Sequence, residues 1–307
     1  MKYRLAMRRF IRWGIPIIGV LLIVVYAFIS YVVASGLTKY ERKPQEDNPT
    51  AYGLQFQDIE FLSRGSDVTL SGWYIPGERE GPTVILVHGI GAVRSANKLV
   101  DLASRLVDRG FNILMFDLRC HGTSGGEFVS AGYFEQQDLL GAFDFLLRQG
   151  IPPERIGVVG FSMGAATTVL AAAEEPAICA LVADSSYAKA SDLIAQETAR
   201  KTDIPEWITP MFIPGVKVMA RVLYDIDIGA LEPEEAVKLL SYPIVIIHGT
   251  GDTRIPFEHS VRIHKTAYPG STLWLVPAVG HVDAFLTYPE EYVERLVDYF
   301  DKNLGVQ

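Results

Sequence analysis

From residue 56 to the C-terminus, short apolar runs alternate with stretches whose apolar residues recur at helical spacing. The runs at 56–62, 69–75, 83–87, 111–116, 156–159, 180–183, 244–247 and 272–276 read as strands. Helical patterns lie around 95–108, around 135–148, from Met163 onward and near 288–304. Arg64-Gly65-Ser66-Asp67 reads as the turn of a hairpin joining the first two strands. Runs such as Thr-Val-Ile-Leu-Val leave no polar face, so their strands belong in a parallel sheet covered by helices on both sides. One interval, 187–240, is far longer than the usual connection. It carries Trp207, Ile208, Met211, Phe212 and Val216 among Pro205, Pro210 and Pro214. A lid over a pocket and an ordinary pair of packing helices are both open readings of it.

The N-terminus follows a different pattern. No charged residue occurs from Trp13 to Leu37, and about 20 apolar residues at about 1.5 Å each cross a bilayer's hydrocarbon. Lys2, Arg4, Arg8, Arg9 and Arg12 precede the run. Lys39, Arg42 and Lys43 follow it, diluted by Glu41, Glu46 and Asp47. That asymmetry predicts a single-pass anchor with the N-terminus cytoplasmic and the larger domain outside. A cleaved signal peptide, cut near Ala34-Ser35-Gly36, is the rival. The run is longer than the roughly 7–15 residues of a signal core, which favours the anchor. The expected organisation is a basic segment at 1–12, an anchor at 13–37, a polar linker at 38–54 and one domain at 55–307.

Composition narrows the function classes. The net charge is −8, and the basic cluster sits beside the anchor, so no nucleic-acid partner is expected. The two cysteines, Cys120 and Cys179, make neither a disulfide framework nor a metal site, and read as isolated small hydrophobes.

Chemistry enters through Gly-x-Ser-x-Gly, which occurs twice. A nucleophile elbow needs a strand directly before the serine and a helix directly after it. Gly160-Phe161-Ser162-Met163-Gly164 satisfies both. Gly122-Thr123-Ser124-Gly125-Gly126 lies beyond its strand with no helix following, so Ser124 reads as a loop residue. A serine needs a base, and the base an orienting acid. Downstream, the strand at 244–247 runs into His248-Gly249-Thr250-Gly251-Asp252, and the strand at 272–276 is followed by Gly280-His281. Asp252 and His281 thus fall past the C-terminal ends of strands, where open parallel sheets gather their sites. Asp184 is a weaker rival acid, Asp283 lies too near His281 along the chain, and His248 reads as a packed histidine. His88-Gly89-Ile90-Gly91 after the third strand suits an oxyanion loop, with the main-chain N–H groups of Ile90 and Met163 as donors. His88 reads as a brace of that loop. This chemistry calls for no metal or organic cofactor.

Taken in order, His88-Gly89-Ile90-Gly91, the stretch from Asp117 to Gly126, the Ser162 elbow, the Asp252 turn and Gly280-His281 resemble the α/β-hydrolase superfamily, closest to its membrane-anchored esterase-like and S33-like serine-aminopeptidase members. The resemblance implies an α/β fold with an eight-stranded, mostly parallel sheet and the 187–240 insertion as a helical cap. It also implies that the 117–126 loop is structural. The expected activity is hydrolysis of a small-molecule or lipid-like ester or thioester through Ser162, His281 and Asp252. An aminopeptidase or amidase is the enzymatic alternative, and a non-catalytic binding module the other.

Overall fold

The computed structural model describes residue 7 and residues 10–77 and 81–305. Lys2, Arg4, Arg8 and Arg9, on which the expected orientation rests, lie outside the described residues. The chain divides into two compact units. One combines residues up to 39 with 191–229, and the other combines 40–190 with 230–307.

The larger unit is built on eight strands: β1 (Gln57–Leu62), β2 (Thr69–Ile75), β3 (Thr83–Val87), β4 (Asn112–Phe116), β5 (Ile156–Phe161), β6 (Leu181–Asp184), β7 (Val245–Gly249) and β8 (Thr272–Val276). Their order in the sheet is β1-β2-β4-β3-β5-β6-β7-β8. β2 runs antiparallel to both neighbours and all other pairs are parallel. Each strand side chain alternates between faces, so neighbouring residues feed two separate cores. Val158, Leu181 and Ile246 pack with Phe143 and Val169 on one face. Val159, Val182 and Ile247 pack with Leu102 and Phe300 on the other. Four strands begin one residue later than their apolar runs, because Phe56, Phe111, Ala180 and Ile244 are apolar without being paired in the ladder.

Helices α2 (Leu99–Val107), α3 (Glu135–Arg148), α4 (Met163–Glu174), α7 (Glu258–Thr266) and α8 (Pro289–Asn303) flank the sheet. Residues 40–54, expected as a linker, belong to this unit and hydrogen-bond to it. Cys120 and Cys179 are both free thiols.

The smaller unit contains α1 (Ile15–Thr38), entered through a π-helical turn at Phe10–Gly14, together with α5 (Ala190–Lys201) and α6 (Ile213–Tyr224) of the insertion. α1 is long and apolar enough to cross a membrane by length and composition. Up to residue 229 the insertion is mostly helical, broken at 202–208 and 225–227, and its last part, with the helical turn Pro233–Ala236, returns to the sheet-bearing unit.

Candidate active site

The parallel register brings the ends of β3, β5, β7 and β8 to one edge: Val87 pairs with Gly160, Phe161 with Asp184, and Gly249 with Val276. The loops leaving these strands carry Ile90, Ser162, Asp252 and His281. Ser162 sits at φ 56°, ψ −120°, a conformation disfavoured for any residue with a Cβ. The flanking glycines make the turn sterically possible. A Cβ on Gly160 would come within 2.4 Å of the Gly164 carbonyl oxygen, and one on Gly164 within 2.3 Å of that of Val87.

His281 bridges the other two groups. Its Nε2 lies 2.8 Å from Ser162 Oγ and its Nδ1 lies 2.6 Å from Asp252 Oδ2. Ser162 and Asp252 are buried, whereas the His281 side chain keeps 16% of its surface exposed. The loop that presents His281 is bent at two left-handed residues, Ala278 (φ 57°) and Val282 (φ 61°). For a β-branched valine this is a genuine strain, of the kind that gathers at functional sites. The Val282 N–H donates to Ser185 Oγ at 3.3 Å, which ties the loop to the end of β6.

Asp252 is held ionised by its surroundings. Burial pushes its carboxyl upward, but hydrogen bonds from His248 and His281 and from the Ile255 N–H outweigh this and hold it well below the usual carboxylate range. Its Oδ1 accepts the main-chain N–H groups of Arg254 and Ile255 at 2.8 and 2.9 Å.

His248, read from sequence as a packed histidine, is also a partner of this acid. Its Nε2 lies 2.8 Å from the Ile255 carbonyl and 3.1 Å from Asp252 Oδ2. A carbonyl only accepts, so the proton is assigned to Nε2, leaving Nδ1 to accept from Ser260 Oγ at 2.6 Å. The available signal was spacing: a histidine at the end of a strand, four residues before the acid.

The rival residues fall elsewhere. Asp184 is fully buried and accepts from Tyr292 Oη at 2.9 Å and Ser185 Oγ at 2.9 Å. Burial raises its carboxyl above the ordinary range. Asp283 opens the one-turn helix Ala284–Thr287. Ser124 Oγ donates to the Asp117 carbonyl at 2.5 Å and accepts the Ser71 N–H at 2.9 Å, which closes a structural loop.

Ile90 stands on a braced loop. His88 donates from Nδ1 to the Gly89 carbonyl at 2.7 Å and accepts the Leu118 N–H at Nε2, 3.0 Å away. Burial, then the neighbouring His121, pushes the His88 imidazole down to about 3, so it remains neutral and able to accept. His121 accepts the Gly91 N–H at 2.9 Å and donates to the Arg119 carbonyl. Met163 opens α4, so its N–H is one of the first-turn donors that a helix leaves without an internal acceptor.

A cleft of about 390 Å³ joins these groups; Ile90, Ser162 and His281 line it. Another wall comes from the segment just after the apolar helix, through Tyr40, Glu41, Lys43 and Glu46. That segment is fastened to the loops below. Arg42 donates to the carbonyls of His121, Gly122, Ser124 and Gly126. Gln45 bridges Asp117 and Ser95, and the Glu46 N–H donates to Ser95 Oγ at 2.8 Å. Sequence reasoning missed this wall because polar, proline-containing composition reads as linker.

Fold and sheet edge together define the class. The chain belongs to the alpha/beta hydrolase family, whose match spans residues 84–295 and takes in Ile90, Ser162, Asp252 and His281. It is 26% identical over 292 residues to YfhR of Escherichia coli, covering 92% of this chain and 94% of that protein. It is also 26% identical over 208 residues to human Protein ABHD12B, covering 64% of this chain and 52% of that one. Among solved structures it is similar to the Pyrococcus furiosus esterase Pf2001, with a TM-score of 0.72 and 27% identity, covering 87% of this chain and 100% of that chain.

Proposed function

We propose that the chain is a membrane-anchored serine hydrolase that cleaves a carboxylic ester or thioester through an acyl-enzyme. The observation that carries this reading is the His281 imidazole, within hydrogen-bond distance of a serine hydroxyl on one side and a buried carboxylate on the other. Ser162 Oγ attacks the substrate carbonyl while His281 Nε2 takes its proton. Asp252 keeps the imidazole oriented and stabilises the imidazolium. The main-chain N–H groups of Ile90 and Met163 hold the oxyanion. His281 then protonates the departing alcohol or thiol, and a water deprotonated by the same imidazole releases the acid.

The esterase named among the similar structures supports ester chemistry over amide chemistry. The cleft rim supports it too. An aminopeptidase needs a net acidic mouth to take a free N-terminus, whereas Glu41 and Glu46 are balanced here by Lys43 and Arg254. The apolar α1 supports anchoring in a bilayer, and the excess of basic residues before it in the sequence supports the larger unit lying outside the cytoplasm. The test is labelling of the full chain by a fluorophosphonate probe. The expected outcome is complete loss of label in Ser162→Ala, and persistent labelling of that variant would move the nucleophile elsewhere.

A further inference from the structure

The insertion helix α6 lies against the second half of α1 within the smaller unit. The Tyr26 and Phe212 rings stack with centroids 5.3 Å apart, and the Gly215 N–H donates to Tyr26 Oη at 3.0 Å. Further along both helices, Tyr224 Oη donates to Ser35 Oγ at 3.0 Å. The helices therefore run side by side in the same direction. A Cβ on Gly215 would fall 2.2 Å from Ser30 Oγ, so the approach at that point requires glycine. Val33, Ala34 and Val216 are buried between them.

This packing fixes a depth. With Trp13 at one boundary of the hydrocarbon, Tyr26 stands about 20 Å along the helix at about 1.5 Å per residue. The core is about 30 Å thick, so its far boundary lies about 10 Å beyond Tyr26. The end of α6 that touches Tyr26 would then sit inside the acyl region. Its surface fits that environment. Trp207, Met211, Val218 and Val222 are 79%, 69%, 58% and 74% exposed, as bare as the apolar residues of α1 itself. Met211, Val218 and Val222 share one helical face by spacing. Between Ile204 and Tyr224 the sequence carries Lys217 and Arg221 against the single acid Glu206. Arg221 lies toward the end of α6 near Ser35 and Lys217 near its middle, and side chains of this length reach outward to headgroups.

We propose that the insertion is itself a membrane-seated element, with the exposed apolar face of residues 207–218 immersed in the acyl region beside α1 and Val222 at its edge. The occupant of that face is a phospholipid bilayer, continuous with the one around the anchor. The inference rests on α1 spanning the bilayer, and it deepens the functional reading: the ester substrate is one presented at a membrane surface.

The experiment uses the full chain in vesicles of phosphatidylcholine with a minority of phosphatidylglycerol, brominated high on the acyl chains. Tryptophan quenching is compared among the unaltered protein, Trp207→Phe and Trp13→Phe. The expected result is that Trp13 and Trp207 both contribute quenched emission, within about twofold of one another. Quenching of Trp13 with none of Trp207 leaves the anchor standing and overturns the immersed insertion. Quenching of neither overturns both. A shielded Trp207 in chains that cross-link in pairs overturns it in favour of a second copy of the chain. As a functional arm, Met211→Glu is expected to lower hydrolysis of a vesicle-presented ester at least tenfold while a soluble p-nitrophenyl ester turns over normally. Equal rates on both esters overturn the proposal.

Discussion

Gly89→Ala tests the proposed oxyanion loop while leaving Ser162, His281 and Asp252 themselves unsubstituted. Gly89 does not occupy a left-handed conformation, so alanine is permitted by the backbone and the effect is purely steric. The added methyl would stand 2.9 Å from Ser162 Cβ, 3.2 Å from the Phe161 carbonyl oxygen and 3.4 Å from Ser162 Oγ. Carbon atoms in good contact stay about 3.5–4.0 Å apart, so loop and elbow must separate by about 0.6 Å or more. The elbow is buried between two cores, whereas the loop faces the cleft, so the loop moves and takes the Ile90 N–H with it. Loss of one oxyanion donor costs about 10²–10³ in kcat. Overpacking alone costs about 1–3 kcal/mol, which at about 2–4 °C per kcal/mol lowers Tm by about 2–12 °C. The assay is kcat on a short p-nitrophenyl ester, the rate of fluorophosphonate labelling, and Tm on the same preparations. A folded Gly89→Ala protein with kcat within threefold of the parent would refute the placement of the donor at Ile90.

Three further outcomes are expected. Asp252→Asn leaves a folded protein whose kcat falls by about 10⁴, the loss that accompanies a neutral third member in a serine triad; steady-state kinetics decide it. Because the Asp252 carboxyl is depressed in the folded state, its ionisation stabilises the protein above the unfolded value of about 3.9 and that contribution is lost as pH falls below it. The Tm gap between the parent and Asp252→Asn should therefore persist from pH 6 to 8 and close in acid, as a melting series would record. His248→Phe removes a donor from a buried carboxylate and leaves the Ile255 carbonyl without that partner, an expected loss of about 1.5–3 kcal/mol in stability. His248→Gln, which keeps an N–H in reach, should recover most of it in denaturant titrations.

The centre of the sheet was legible because its strands carry apolar runs such as Thr-Val-Ile-Leu-Val, which only burial on both faces accommodates, whereas the edge strand Gln57–Leu62 is mostly exposed. The elbow was legible because context separates two identical motifs: a strand enters Ser162 and a helix leaves it, whereas neither holds for Ser124. Much of what escaped the sequence does its work through polar contacts without periodicity. Helix α7, Glu-His-Ser-Val-Arg-Ile-His-Lys-Thr, buries only His259, Ser260 and Ile263 and offers little apolar signal. His248 was legible as a buried strand residue, but its bond to Asp252 depends on how the following loop folds back. The pairing of α1 with α6 was hidden for the opposite reason: a helix apolar all round does not announce which side meets a partner.

The fastening of Arg42 and Gln45 to the 117–126 loop makes the segment just after α1 part of the cleft. A processing cut after Gly36 would shed α1 almost whole yet spare Tyr40, Glu41, Lys43 and Glu46. A cut after Asp47 would remove a side of the cleft along with the Arg42 clasp. Two released forms differing by eleven residues would thus share a nucleophile and differ in what they admit to it. A gene trimmed of the apolar helix has to keep Tyr40 for its cleft to match that of the full chain.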